Sequence, residues 1–289
     1  MSETRTNDRT KEKPAAESAI EKLPQGPFNN IRHVIAVMSG KGGVGKSSVT
    51  ALLASSFARA GYRVGILDAD ITGPSIPKMF GLSQRADSAE LGLLPVRSET
   101  FKMPVMSINL LLPSEDDPVI WRGPLIANVV RQFWTDVVWE DLDFLFVDLP
   151  PGTGDAPLTV MQSLPLDGIV IVSSPQDLAV MVVKKAIKMA RLLKTHILGL
   201  VENMSYVTCP HCGERHQVFG PSKGQAVAKA TDIPFLATLP LDPSLSELCD
   251  KGRIEDYEPE GFSSVVDHIV RISDHLEKLR AQKAGAQGQ

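Results

Sequence analysis

The chain has 289 residues, of which 43% are apolar and 22% are charged. This balance is typical of a soluble globular protein with one large core. The formal net charge of −4 does not supply the strong positive field of a dedicated nucleic-acid-binding protein, so no nucleic-acid partner is expected. The sequence has no run of about eighteen apolar residues, and its first residues mix acidic with basic side chains. These features predict no membrane partner and a cytoplasmic location.

The order of apolar patterns along the chain predicts the fold. Residues 1–30 are polar and contain three prolines, so we expect a disordered arm there. Short apolar runs typical of buried strands follow at 34–38, 64–67, 144–147, 169–172 and 197–201. Helical spacing begins at residue 47 and recurs near the end of the chain. Alternating strands and helices predict an α/β fold, in which helices cover both faces of a mostly parallel sheet in three α/β/α layers. One domain is expected over residues 31–280, with a flexible tail at 281–289.

A glycine-rich segment lies between the first predicted strand and the first predicted helix. It fits the pattern of glycine, four residues, glycine, lysine and serine that defines a P-loop. Glycines let backbone N–H groups approach phosphates, Lys46 reaches the β- and γ-phosphates, and the Ser47 hydroxyl binds Mg²⁺. The predicted nucleotide-binding residues are Gly40, Lys41, Gly42, Gly43, Val44, Gly45, Lys46, Ser47 and Ser48. A P-loop NTPase that uses ATP and Mg²⁺ is therefore expected.

Three aspartates follow predicted strands. Asp68 and Asp70 come after the run at 64–67, and Asp148 comes after the run at 144–147. A triphosphate with Mg²⁺ needs a carboxylate near the metal and a polar group that orients the attacking water. Because carboxyl ends of parallel strands share one edge of a sheet, all three are candidates. A helix cap or a turn former is the alternative for any one of them.

Two cysteines lie close together in the segment CPHCG. Cys209 and Cys212 are spaced to hold one metal in a tight knuckle. Two thiolates are half of a tetrahedral zinc site or of a [4Fe–4S] site, and a two-fold axis through the metal would supply the other half. A redox dithiol and a surface turn are the other interpretations. The residues alone leave iron–sulfur and zinc open.

The remaining candidate ligands have simpler interpretations. His211 and His216 are interpreted as solvated loop residues. Cys249 stands alone in a predicted helix, and we expect it to be a buried small apolar residue.

Lys41 adds a second lysine within the P-loop and resembles the signature of the deviant class that includes MinD, ParA and the nitrogenase iron protein. Within that class the sequence resembles the Mrp/ApbC group of iron–sulfur cluster carriers over about residues 31–257. The matching segments are MSGKGGVGKSSV, LDADITGPSIPKMFG, WRGP, FVDLPPGTGDAPLT, SSPQDLAV, VENMSYVTCPHCG and LPLDP.

The resemblance implies a set of roles. Lys41 would reach the nucleotide of a partner subunit and act with Lys46 in catalysis. Asp70 would orient the hydrolytic water, and Asp68 would lie in a first switch near Mg²⁺. Asp148 would form a second switch with Gly152. Asn203 would hydrogen-bond the adenine ring.

The implied function is that of an ATPase that carries a [4Fe–4S] cluster on Cys209 and Cys212 of a homodimer and delivers it to apo iron–sulfur proteins. A MinD/ParA-like positioning ATPase that binds membrane or DNA is one alternative. A regulatory ATPase bridged by zinc is the other.

Overall fold

The computed structural model describes residues 23–71, 73, 75–112 and 123–287. Most of the expected N-terminal arm and two residues of the WRGP segment lie outside these ranges. The described strands are β1 Asn29–Ser39, β2 Val64–Asp68, β3 Asp87–Ala89, β4 Gly92–Leu94, β5 Val96–Arg97, β6 Pro104–Ser107, β7 Glu140–Asp148, β8 Gly168–Ser173, β9 Ile197–Thr208, β10 Arg215–His216 and β11 Phe235–Pro240. The described helices are α1 Lys46–Arg59, α2 Ile76–Met79, α3 Gly123–Thr135, α4 Asp155–Ser163, α5 Asp177–Leu192, α6 Gly224–Thr231, α7 Pro243–Asp250 and α8 Phe262–Gln287.

The main sheet has the order β10-β9-β8-β1-β7-β2-β6-β5, and β11 also pairs with β9. Its pairings are parallel except for β5 with β6 and β10 with β9. All five strands expected from apolar runs are present in it. The sequence did not reveal β6 and β11, because both are short and each begins at or just after a proline. Parallel pairing brings the carboxyl ends of β1, β2, β7, β8 and β9 to one edge.

Helices cover both faces of this sheet, so the predicted three-layer α/β/α architecture is confirmed. Alternate residues of β1 enter different cores: Ala36 and Met38 pack beneath α3, α4, α5 and α6, while Ile35 and Val37 pack beneath α1 and α8. The helical spacing near the end of the chain corresponds to α8, which docks on the core with Phe262 and Ile269 buried. None of the described helices is both long and apolar enough to cross a membrane.

Both ends of the domain differ from the expected boundaries. The segment from Leu23 is attached to the core, where the Trp134 indole N–H donates to the Pro24 carbonyl at 3.1 Å. The Gln25 side-chain amide pairs with the backbone N–H and carbonyl of Ile31, each at 2.8 Å. Residues 23–30 therefore belong to the domain and not to an arm. At the other end, α8 continues to Gln287 through most of the segment expected to be a flexible tail.

A buried histidine faces charged groups near the start of β1. His33 is 2% exposed, and its Nε2 atom has no hydrogen-bond partner within the described chain. This atom lies 3.8 Å from Asp274 Oδ1 and 3.9 Å from Glu277 Oε2. Those same oxygens already accept from Arg32 at 2.8 and 2.7 Å. Burial lowers the pKa of His33, although the charge of Asp167 partly opposes this shift.

We expect this histidine to make stability depend on pH. The unfolded chain binds the proton more tightly than the folded protein, because the folded pKa of His33 lies below its ordinary value. The free energy of unfolding should therefore fall as the pH is lowered from about 7.5 to about 5.5. His33→Phe, which can still pack on Phe144, should flatten this decline in urea titrations. The exposed His275→Phe is the control; an unchanged slope in His33→Phe would contradict the assignment.

Candidate nucleotide and metal site

The P-loop connects β1 to α1 and takes a backbone course that requires glycine. Gly43 and Gly45 have φ values of 78° and 76°, in the left-handed region. A Cβ atom on Gly45 would lie 2.2 Å from Asn203 Nδ2, whereas one on Gly43 would meet no atom within 4 Å. The loop is thus packed tightly on its inner side, which faces Asn203, and open on its outer side, at Gly43. The open side lies at the N-terminus of α1, where backbone N–H groups and the helix dipole favour an anion.

The first turn of α1 meets the end of β7. The Lys46 ammonium lies 2.7 Å from Asp148 Oδ2, and the Ser47 hydroxyl donates to the same oxygen at 2.5 Å. The Thr50 hydroxyl lies 2.7 Å from Asp148 Oδ1. Asp148 is fully buried, so these contacts offset the cost of burying its charge. Ser48 occupies the same turn and is half-buried.

Sequence reasoning did not identify Thr50. Its signal is a polar residue one helical turn after Lys46, at a position surrounded by buried apolar neighbours. Thr50→Val keeps the shape but leaves a buried carboxylate oxygen without this contact. We expect the affinity for MgADP to fall by about tenfold, because such a hydrogen bond to a charged group is worth about 1.5 kcal/mol or more.

Calorimetric titration with MgADP measures this effect. Thr231→Val is a matched control. Thr50 also donates to the Lys46 carbonyl four residues earlier, and Thr231 donates to the Val227 carbonyl in the same way, but Thr231 lies at the end of α6. Equal affinity in the Thr50→Val protein and the wild type would show that Thr50 does not position Asp148.

Two further carboxylates lie beside this cluster, at the end of β2. Asp68 is fully buried and accepts from the Ser107 hydroxyl and from the Asp70 N–H, both at 3.1 Å. Burial, and then the charge of Asp148, raise the pKa of Asp68 to about 8, against the opposing charge of Lys46. Asp70 Oδ2 lies 3.7 Å from the Lys46 ammonium. The structure thus brings together three carboxylates around one ammonium.

The donor set of this cluster fits Mg²⁺. Mg²⁺ prefers hydroxyl, carboxylate, phosphate and water oxygens, and Ser47 with Asp148 supplies the first two kinds. A cation here would also relieve the repulsion among the carboxylates.

The loop after β7 lies against the strand that leads into the P-loop. The Leu149 N–H donates to the Val37 carbonyl at 3.1 Å, and the Gly152 N–H donates to the Ser39 carbonyl at 2.9 Å. Gly152 has a φ of 96°, and a Cβ atom on it would meet no atom within 4 Å. The predicted second-switch residues therefore lie directly beside the phosphate-binding segment.

Lys41 and Asn203 lie on other sides of the P-loop. The Lys41 ammonium donates to Gln176 Oε1 at 2.5 Å, just before α5. This contact with a neutral amide was not foreseen from the sequence. Asn203 is buried, and its Nδ2 donates to the Val44 carbonyl at 3.0 Å. Asn203 thus contacts the P-loop on its closely packed inner side.

The cysteine pair lies in the turn between β9 and β10. The Cys209 N–H donates to the Glu214 carbonyl, and the Gly213 N–H donates to the Cys209 carbonyl, both at 2.9 Å. Gly213 has a φ of 74°, which a side chain would disfavour. Cys209 is half-buried and Cys212 is exposed.

The two thiols interact directly with each other. The pKa of Cys209 is lowered by the backbone N–H of Cys212, then by the N–H of His211 and by the Cys212 thiol itself. N–H groups aimed at a sulfur favour the thiolate, which is the form that binds metals. This geometry fits half of a thiolate-bound metal site.

The remaining candidate ligands are two histidines near this pair and the third cysteine. His211 and His216 are exposed, as expected of loop residues. Cys249 is half-buried on α7, so the expectation of full burial was wrong. That helix lies on the surface and has no fully buried residue. Partial burial raises the pKa of the Cys249 thiol, which makes it a poorer metal ligand than Cys209.

The P-loop and the cysteine hairpin extend from the same edge of the sheet. Glu202 of β9 is in register with Ser173 at the end of β8, and Met38 and Ser39 of β1 pair with the same part of β8. Strand β9 then continues past this edge, through Asn203 beside the P-loop, to the cysteine turn. One strand therefore connects the two predicted sites.

A P-loop between β1 and α1, with lysine, serine and aspartate at the carboxyl edge of a parallel sheet, defines a P-loop NTPase. Residues 30–275 match the family model described as "ParA: NUBPL iron-transfer P-loop NTPase". The chain belongs to this family.

Named relatives agree with this assignment. An "Iron-sulfur cluster carrier protein" of Clostridium perfringens is 44% identical over 241 residues, which cover 81% of this chain and 84% of the relative. The nucleotide-binding protein of Archaeoglobus fulgidus, solved in complex with ADP and with Co, is 52% identical with a TM-score of 0.73, over 80% of this chain and 91% of that one. The MinD protein of Pyrococcus horikoshii, solved with Mg-ADP, shares the fold at 19% identity with a TM-score of 0.57, over 87% of this chain and 98% of that one.

Proposed function

We propose that this protein is an ATP-hydrolysing carrier that binds a [4Fe–4S] cluster between two copies of the chain and delivers it to apo iron–sulfur proteins. One observation carries the proposal: the P-loop and a pair of cysteines that could supply half of a metal site extend from the same edge of the sheet. The family match to iron-transfer NTPases and the cluster-carrier name of the Clostridium relative support it.

ATP and Mg²⁺ would occupy the cluster of charges at the P-loop. Lys46 would exchange its contact with Asp148 for the β- and γ-phosphates, and Ser47 would bind Mg²⁺ with Asp148 beside it. Asp70, at 3.7 Å from Lys46, would orient the attacking water. Mg²⁺ would supply charge neutralisation for the phosphates. Asn203 would hydrogen-bond the adenine ring through the part of its amide that is not bonded to the Val44 carbonyl.

A second copy of the chain would complete both half-sites. A [4Fe–4S] cluster is held by four thiolates, and Cys209 and Cys212 supply two. A two-fold axis through the cluster would bring the same pair from the partner. Lys41 would leave Gln176 and bind the partner's nucleotide, since a neutral amide holds an ammonium less strongly than phosphate does.

The chemistry of the hairpin suits a cargo that is handed on. Cys212 is exposed, so a recipient can approach the cluster from solvent. A cluster bound by only two thiolates from each copy can pass to a recipient by stepwise ligand exchange. We propose that the protein works in the cytoplasm, where free thiols persist.

The two alternatives have less support. A positioning ATPase would leave the cysteine hairpin without a role, and the family model is one of iron transfer. A zinc-bridged regulatory ATPase uses the same ligands, so only metal loading distinguishes it from a cluster carrier.

Anaerobic reconstitution tests the proposal. The purified chain is incubated with ferrous iron and sulfide, desalted, and mixed with an apo-protein that needs a [4Fe–4S] cluster for activity. We expect a broad visible charge-transfer absorption, about two iron atoms per chain, and activation of the recipient. Retention of zinc with no visible absorption and no activation would overturn it.

A further inference from the structure

A buried carboxylate lies on β9 immediately before Asn203, the residue that contacts the P-loop. Glu202 is 1% exposed. Its Oε1 atom accepts from the backbone N–H groups of Gly224 at 2.7 Å and Lys223 at 3.0 Å. Its Oε2 atom accepts from the Ser205 hydroxyl at 2.9 Å. The side chain thus binds the start of α6, which follows the hairpin in sequence.

These contacts join the two ends of the segment that carries the cysteines, and we call this junction the base of the hairpin. The segment from residue 203 to residue 223 leaves the sheet beside Glu202, carries the two cysteines through the turn, and returns to the Glu202 carboxylate. Backbone N–H groups in the first turn of a helix have no partner within the helix, so this carboxylate satisfies two of them. The approach is tight, since a Cβ atom on Gly224 would lie 3.0 Å from the Glu202 Cβ atom.

The next residue attaches the same base to the P-loop. Asn203 donates to the Val44 carbonyl, and its amide fills the space that a Cβ atom on Gly45 would need. The P-loop and the base of the hairpin are therefore in direct contact through Asn203. Glu202 joins the two ends of the hairpin segment at that base.

We propose that Glu202 is a positioning residue that couples nucleotide binding at the P-loop to the position of the cysteine hairpin. The inference rests on the proposed function for its biological meaning, because the hairpin carries the two cluster ligands. Contacts farther along the hairpin hold it more loosely. Arg215 stacks 4.5 Å above the Tyr206 ring and pairs with Glu260 at 2.9 Å, where the carboxylate is 83% exposed. Such an exposed ion pair is weak.

Amide hydrogen exchange on the full chain without iron tests the coupling. Exchange within residues 204–222 is measured with and without MgADP, at concentrations that saturate each protein. In the wild type we expect MgADP to change exchange by about fivefold or more, because base and P-loop move together. Glu202→Ala should exchange faster and lose this dependence on MgADP. Glu202→Gln should retain it, since the amide oxygen can still accept from Gly224.

Glu260→Gln is the matched control, because it removes an exposed carboxylate that contacts the same hairpin through Arg215. It should keep the wild-type response to MgADP. If Glu202→Ala does not fold, Glu202→Asp shortens the side chain by one methylene, so that the carboxylate no longer reaches the Gly224 N–H, and should also lose the response.

The inference is overturned if Glu202→Ala responds to MgADP as the wild type does, or if the wild-type hairpin shows no response. Neither result bears on cluster binding, which the reconstitution experiment tests separately.

Discussion

Replacing Cys209 with serine should abolish stable cluster binding and leave nucleotide binding intact. The change removes one thiolate from each copy, so a two-fold site keeps only two of four ligands. Retention of iron and sulfide should fall by more than about 100-fold. Even replacing a residue that only hydrogen-bonds to a metal ligand commonly lowers metal affinity 10- to 100-fold. The affinity for MgADP should stay unchanged, because the phosphates would bind at the P-loop and not at the hairpin.

Iron and sulfide are measured after anaerobic reconstitution and desalting, and MgADP affinity is measured by calorimetry on the same preparations. Cys249→Ser is the matched control. That cysteine is half-buried on α7, and burial raises the pKa of its thiol, so its loss should leave the cluster in place. Full cluster retention in Cys209→Ser would show that Cys209 does not hold the cluster.

Replacing Asp70 with asparagine should slow ATP hydrolysis by about 100- to 1000-fold, a loss typical of removing one group that acts in the transition state. The carboxylate is 7% exposed and lies 3.7 Å from Lys46, at the edge of the space expected for the γ-phosphate. Asparagine has the same size but lacks the charge that would orient the water. MgATP affinity should change by less than about threefold, because the interaction is made in the transition state.

Phosphate release under single-turnover conditions separates the chemical step from product release. The exposed Asp87→Asn on β3 is the control and should hydrolyse ATP at the wild-type rate. A loss of MgATP affinity with an unchanged hydrolysis rate at saturation would assign Asp70 to ground-state binding. An unchanged rate would exclude it from the reaction.

The sequence predicted the central sheet because its inner strands are buried on both faces. Strands such as 144–147 and 169–172 are continuous apolar runs, which mark the buried positions directly. Strand ends were less predictable. The run at 197–201 indicated a strand that stops before Glu202, but β9 continues to Thr208 because β11 and β10 pair with its polar end.

The P-loop residues were predictable because they are contiguous and follow a fixed spacing. Their partners were not. Thr50 contacts a carboxylate 98 residues away, and Lys41 contacts an amide 135 residues away. Such pairs are set by strand order, which the sequence pattern does not reveal. The roles of Asp68, Asp70 and Asn203 came from the family resemblance and stay predictions.

The boundaries of the domain show the same limit. Residues 23–30 are polar and rich in turn formers, which favours an arm. They are held by the Trp134 indole and by the Gln25 amide, contacts that arise only when the core has formed. Tertiary hydrogen bonds therefore decide the boundary, and local composition does not.

The proposed function requires that two incomplete metal sites become one when two copies of the chain meet. Native mass spectrometry of the anaerobically reconstituted protein detects such a shared cluster. We expect a species with the mass of two chains plus four iron and four sulfide, which is absent before iron and sulfide are added. A single chain that carries its own cluster, or a protein that stays a single chain without bound iron, would rule out a cluster shared between two copies.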